Sequence, residues 1–134
     1  MPELPEVETV CRGLRSALVG RRFVSVETRR PDLRFPFPAG FAARLTGRRV
    51  ERVDRRAKYI LIHLDDATVL LIHLGMSGRL VVAPAPVPQA AHQHVLIRTD
   101  GGQDVAYSDA RRFGFMDLVA AADLGGHPRL LSLG

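Results

Sequence analysis

Apolar residues recur at Val7, Val10, Leu14, Ala17 and Leu18, the three-and-four spacing of one helical face. The pattern predicts a helix from residue 2 to about 19. Pro2 and Pro5 stand in or before its first turn, where a missing N–H costs little. Glu3, Glu6 and Glu8 crowd the positive end of the helix dipole, Arg12 and Arg15 follow, and Gly20 is the stop. Beyond Gly20 the period changes to two. Phe23 and Val26 open a strand, and Pro31, Pro36, Pro38 and Gly40 make residues 31–41 a loop. Val50–Arg55 reads as another strand. Tyr59–Leu64 and Thr68–Leu74 are apolar runs about Asp65–Asp66, a hairpin signal. Pro84, Pro86 and Pro88 mark residues 83–93 as an exposed, mobile loop. Val95–Thr99 and Val105–Ser108 flank Asp100–Gly101–Gly102 as a second hairpin, and Phe113–Val119 adds a strand. A short helix is expected before Leu130–Leu133.

One long N-terminal helix and about eight short strands predict a mostly β domain with helices, built as a β-sandwich or flattened barrel. The 134 residues suit one domain, and 46% hydrophobic content supplies a core. There are no repeats. The chain reaches Leu133–Gly134 with no clear terminal element, so a continuation is expected.

Composition narrows the setting. The apolar runs are short and interrupted, which argues against a membrane span, and no secretory signal opens the chain. Cys11 is the single cysteine, so an internal disulfide is impossible and a zinc site would depend on His and carboxylates. His92 and His94 stand two apart with no nearby cysteine or acid cluster, and no metal is assigned to them. A reducing cytoplasm fits. The net charge of +5 and pI near 10.6 suit a polyanionic partner, nucleic acid first. Of the 19 cationic Lys and Arg side chains, all but Lys58 are arginine. A lone lysine in an arginine-biased chain is either a chance survivor of that bias or a hint that an amine is wanted there, because lysine can give up a proton and arginine cannot.

The opening Met-Pro-Glu-Leu-Pro-Glu-Val-Glu sets a proline and two carboxylates, Glu3 and Glu6, on one side of a helix start. Removal of Met1, favoured by a small following residue, would leave Pro2 as a secondary amine. An α-amino group titrates near 8 (about 7.7–8.0), so a useful fraction is neutral and nucleophilic at physiological pH. With Met1 attached the nitrogen is an amide and cannot attack.

This opening resembles that of the bacterial formamidopyrimidine-DNA glycosylases. Three more segments match in order: Arg-Arg-Ala-Lys-Tyr at 55–59, His-Leu-Gly-Met-Ser-Gly at 73–78 and Asp-Ala-Arg-Arg-Phe-Gly at 109–114. The family's enzymes are about twice as long, which would make residues 1–134 the N-terminal catalytic domain. The resemblance implies a bifunctional glycosylase and abasic-site lyase that excises oxidised purines from double-stranded DNA. It implies that Pro2 attacks C1′, that Glu3 donates a proton to open the sugar, and that Glu6 supports the site. It makes Lys58 a phosphate contact that moves protons during β/δ-elimination. Met76, Arg111 and Phe113 would form a wedge: Met76 fills the space of the flipped base, Arg111 meets the opposite base, and Phe113 kinks the duplex. His73 and His92 would touch DNA. Without the resemblance, Met76 reads as packing, His73 as a core histidine at a strand end, and Arg111–Phe113 as a basic turn with a core phenylalanine.

The resemblance also implies a second half with a helix–two-turn–helix element and a four-cysteine zinc finger. Neither is found in residues 1–134, so no cofactor is expected here and zinc is expected only in that half. A cytoplasmic monomer is the expected form. Ala57 and Ala110 depart from the more usual Gly and Pro. Two rivals stand beside this reading. One is a non-catalytic module that recognises damaged DNA. The other is a glycosylase of the endonuclease VIII type, for oxidised pyrimidines; the Leu4 opening and the complete wedge argue against it.

Overall fold

A computed structural model describes residues 3–128. Pro2 and the segment Leu130–Leu133 lie outside the described residues. Helix α1, Leu4–Leu18, follows from its spacing: Val7, Cys11, Leu14 and Leu18 are buried along one face, with Val10 and Ala17 half-buried beside them. Glu3 is its N-cap. The Glu3 N–H donates to Glu6 Oε2 at 3.3 Å, which satisfies a donor that would otherwise be left over at the helix start.

The strands are β1 Phe23–Thr28, β2 Val50–Arg56, β3 Tyr59–Leu64, β4 Thr68–His73, β5 Arg79–Pro84, β6 Gln93–Thr99, β7 Gln103–Ser108 and β8 Phe115–Ala120. They form two four-stranded antiparallel sheets, ordered β1-β6-β7-β5 and β2-β3-β4-β8. This is the expected sandwich. A five-residue helix, α2 (Phe41–Leu45), packs on β1, and a 3-10 turn covers Ala121–Gly126. Helix α1 lies against β2 of one sheet and β5 of the other, so it bridges them along one side.

The main core lies between the sheets and includes Leu14, Leu18, Phe23, Ile62, Ile72, Tyr107 and Met116. A second cluster, with Leu61, Val69, Leu71, Phe115 and Val119, sits on the other face of the second sheet beneath Leu124. Strands β3 and β4 are therefore buried on both faces. That is why they read as unbroken apolar runs rather than alternating ones. Each fully buried Leu or Ile there contributes about 1.5–3 kcal/mol.

Two boundaries differ from expectation. Residues 79–84 pair with β7 as β5, so the loop after them is shorter than the proline pattern suggested. Asp104 Oδ2 ties that loop down by accepting the Val87 N–H at 3.0 Å. The last strand begins at Phe115, not Phe113, because the Arg112 and Gly114 N–H groups bond to the Asp109 carboxylate instead of a neighbouring strand.

Register decides where the connections gather. Tyr59 pairs with His73 and His73 with Phe115 in one sheet, while Arg79 and Gln93 both pair with Ser108 in the other. The β2–β3, β4–β5 and β7–β8 connections and the last residues of the β5–β6 connection, which crosses over from the far end, thus share one end of the sandwich. They carry Lys58, Met76, His92, and Arg111 with Phe113.

Candidate active site and nucleic-acid interface

Two residues, Ala57 and Lys58, link β2 to β3, and Ala57 adopts a left-handed φ of 52°. This conformation explains why glycine suits the position: an L side chain there costs about 1–2 kcal/mol. Arg55 fixes the turn from below. Its Nη1 donates to the Ala57 carbonyl at 2.9 Å and its Nε to Glu8 Oε1 at 3.2 Å, while Arg15 Nη1 donates to Glu8 Oε2 at 3.1 Å. Hydrogen bonds from Arg55, then Arg15, hold the Glu8 carboxyl below its ordinary pKa. Glu8 is thus the strap between α1 and the Lys58 turn, a role invisible in its place among the helix-start acids. Across that strap Lys58 Nζ stands 3.8 Å from Glu3 Oε2, and Glu6 bonds the Glu3 backbone. Three of the four expected catalytic residues, Glu3, Glu6 and Lys58, are therefore neighbours. The fourth, Pro2, lies outside the described residues.

His73 ends β4, its ring 5.6 Å from the Phe115 ring and nearly parallel to it, with Tyr59 at 4.8 Å. Its Nδ1 accepts the Gly75 N–H at 3.0 Å. Burial, then the positive charges of Arg34 and Lys58, lower its pKa. A neutral ring whose Nδ1 is an acceptor carries its proton on Nε2, so His73 offers an uncharged donor at the end of β4.

Met76 and Phe113 are both nearly half-exposed, at 47% and 46%, and Arg111 is exposed. Their loops press together backbone to backbone. A methyl group on Gly75 would lie 2.5 Å from the Phe113 carbonyl carbon, and one on Gly114 would lie 2.5 Å from the His73 carbonyl oxygen. Glycine is required here for close approach. Two openings flank the pair of loops. One, of about 450 Å³, is lined by Leu33, Arg34, Arg111, Arg112 and Phe113. The other, of about 270 Å³, is lined by Glu6, Val10, Leu74, Gly78, Arg79 and Leu80. His92 is exposed on the adjoining loop with φ of 60°. His94 Nε2 is engaged 2.8 Å from the Asp109 carbonyl. Among the described residues no three His, Cys, Asp or Glu side chains gather as metal ligands.

Residues 1–116 match the family model for the formamidopyrimidine-DNA glycosylase N-terminal domain. The chain belongs to this family. It is 56% identical over 141 aligned positions to the formamidopyrimidine-DNA glycosylase of Beijerinckia indica, with all of this chain and 49% of that protein covered. The enzyme of the same name from Methylocella silvestris is 53% identical, with all of this chain and 50% of that protein covered. The chain thus spans about half the length of these glycosylases. Among solved structures it resembles the Lactococcus lactis glycosylase bound to DNA containing an abasic site (TM-score 0.85, 32% identity), covering 98% of this chain and 49% of that one. It also resembles the Lactococcus lactis complex with FAPY-dG-containing DNA (TM-score 0.86, 30% identity), covering 97% and 48%. The sandwich is therefore the fold of this glycosylase family's N-terminal domain. Among the described residues no helix is long and apolar enough to cross a membrane.

Proposed function

We propose that this chain is the catalytic N-terminal domain of a DNA glycosylase and abasic-site lyase that removes oxidised purines from double-stranded DNA, acting as a monomer in the bacterial cytoplasm. The observation that carries the proposal is the meeting of the chain's one lysine with the acidic helix start: Lys58 Nζ to Glu3 Oε2 at 3.8 Å, one residue from Pro2.

In this reading the Pro2 nitrogen, freed of Met1, forms a bond to C1′ of an everted nucleotide. The C1′–base bond breaks and the base leaves with the electron pair and a proton. Glu3 gives a proton to the ring oxygen, the sugar opens, and an iminium joins Pro2 to C1′. A proton then leaves C2′ and the 3′ phosphate departs; Lys58, beside that phosphate, neutralises it and relays protons. Glu6 keeps Glu3 oriented through the 3.3 Å bond to its backbone. Met76 and Phe113 occupy the stack, Arg111 faces the base opposite the lesion, and His73 and His92 contact phosphates. The opening beside Glu6 is the space for the everted base. Unstacking costs a few kcal/mol per step and is offset by contacts to the exposed loops.

Borohydride trapping on duplex DNA with an abasic site, with the protein's intact mass read in parallel, tests the assignment. A covalent adduct that Pro2→Gly abolishes without loss of folding supports it. No adduct from a chain lacking Met1, in the presence of tight binding to the same duplex, rejects it in favour of a damage-binding module.

A further inference from the structure

We propose that Asp109 is the positioning residue of the DNA interface, a buried carboxylate that fastens the Met76, His92 and Arg111–Phe113 loops into one rigid piece. The inference rests on the reading of those loops as the DNA-contacting surface.

Asp109 is 1% exposed, at the start of the β7–β8 connection. Its Oδ1 accepts from Ser77 Oγ at 2.6 Å and from the Arg112 N–H at 2.9 Å. Its Oδ2 accepts from the Tyr107 hydroxyl at 2.7 Å and the Gly114 N–H at 3.0 Å. Four donors fill the carboxylate's four lone-pair directions, and none of them is a cationic side chain. The backbone of the same residue extends the hold. Its N–H donates to the His92 carbonyl at 3.0 Å, and its carbonyl takes His94 Nε2 at 2.8 Å. Ser77 Oγ in turn accepts the Arg111 N–H at 3.2 Å. One residue therefore touches the loop of Met76 through Ser77, the loop of His92 through the backbone, and both sides of Phe113 through Arg112 and Gly114.

Burial raises the pKa of Asp109, but the bonds from Ser77, Tyr107, Gly114 and Arg112 outweigh it and the net shift is downward, so the anchor is ionised. The conformation it holds is one the chain would not choose freely. Arg112 and His92 have φ of 54° and 60°, a region that side chains other than glycine avoid. A wedge must enter the stack without first being ordered, because ordering cost subtracts from binding. A buried anion with convergent donors supplies that order in advance.

The decisive substitution is Asp109→Asn. Its amide can present only one oxygen. Whichever way it turns, an NH₂ faces either the Arg112 or the Gly114 N–H, and neither backbone donor can rotate away. We expect the variant to remain folded by circular dichroism, while hydrogen exchange at the Arg112 and Gly114 amides accelerates about tenfold or more. We expect duplex affinity to fall about tenfold or more, with loss of the fluorescence rise from 2-aminopurine placed opposite an abasic analogue. Borohydride trapping on a single-stranded abasic oligonucleotide, which needs no wedge, should fall less than duplex binding, only by the part that the His92 loop carries. Ser77→Ala, a milder change that leaves three of the four carboxylate bonds, should weaken duplex binding in the same direction. A further control is the Met76→Ala, Phe113→Ala background, where Asp109→Asn should cost less than it does alone, only the part carried by Arg111 and His92. Equal losses on single-stranded and duplex substrates, or full additivity in that background, would overturn the positioning role. Absence of an aminopurine response from the unaltered chain would refute the wedge reading itself. The anchor would then be judged on exchange alone, and unchanged protection at Arg112 and Gly114 would overturn it.

Discussion

Replacing Lys58 by Gln and His73 by Phe separates charge from hydrogen bonding at two adjacent phosphate contacts of the proposed function. Lys58 is a half-buried ammonium whose nearest partner, Glu3, is largely exposed. His73 is a neutral ring, because burial and the charges of Arg34 and Lys58 lower its pKa, and its proton sits on Nε2, because Nδ1 accepts the Gly75 N–H. Neutralising one phosphate of duplex DNA contributes about 0.9 to the slope of log affinity against log salt. Over the fourfold range from about 50 to about 200 mM salt, one charge accounts for about 3.5-fold in affinity. Lys58→Gln should therefore flatten the salt dependence by about 0.9. His73→Phe keeps the ring between Tyr59 and Phe115 but removes the donor, so it should lower affinity by about 2- to 13-fold, from about 0.5–1.5 kcal/mol, at every salt concentration. The lost acceptor for Gly75 adds to that offset and not to the slope. Fluorescence anisotropy on a duplex with an abasic analogue, titrated at four salt concentrations near neutral pH, gives both quantities. A slope change near 0.9 for His73→Phe would mean that the ring binds as a cation, and the tautomer argument would fail. An unchanged slope for Lys58→Gln would remove Lys58 from the phosphate.

Ala57→Gly should stabilise the chain slightly, by about 0–1.5 kcal/mol: relief of about 1–2 kcal/mol at φ 52° is offset by about 0.5–1 kcal/mol of glycine entropy. A urea midpoint that moves to lower concentration would contradict this. Gly114→Ala should cost about 2–3 kcal/mol and abolish duplex binding, since the methyl group meets the His73 carbonyl and the Tyr107 hydroxyl; a neutral thermal shift would show that the two loops are not packed as described. Stability should fall with acid in two stages. His63 and His73 have pKa values lowered mainly by burial, so the unfolded chain binds protons first and stability begins to drop below about pH 6.5. Glu8, Asp104 and Asp109 also have depressed values, so a second loss follows as pH falls below the ordinary carboxylate range and through their folded values. Urea midpoints from neutral pH to about pH 3 should show both stages, and Asp104→Asn should flatten only the second; a midpoint independent of pH would refute the assignment.

Much of the architecture was legible because its causes are local. The helical face of α1, the apolar runs of β3 and β4 and the two hairpin turns each depend on residues within a few positions of one another. Glu3 and Glu6 stood out as carboxylates at a helix start and Lys58 as the one amine in an arginine-rich chain, while their roles came from the resemblance of the four motifs to the family. Strand β5 escaped notice because Arg79–Pro84 has a ragged burial pattern that ends in proline; it is a strand because β7 pairs with it. Helix α2 is only five residues long and is supported by its contact with β1. The start of β8 moved because Asp109 claimed the backbone of Arg112 and Gly114.

What only the tertiary structure decided concerns groups brought together from afar. Glu8 looked like one more acid favouring the helix dipole, yet its main partner is Arg55, 47 residues away. Asp109 looked like the first letter of a motif, yet it anchors Ser77, 32 residues earlier, and the His92 loop. The protonation of His73 depends on a backbone N–H two positions on and on the charges of Arg34 and Lys58. Periodicity and residue type determine elements and candidate chemistry, because both act over one or two turns of chain. Hydrogen-bond saturation, burial and the local electrostatic field depend on which distant segments share a volume, and here that is fixed by the register of two sheets.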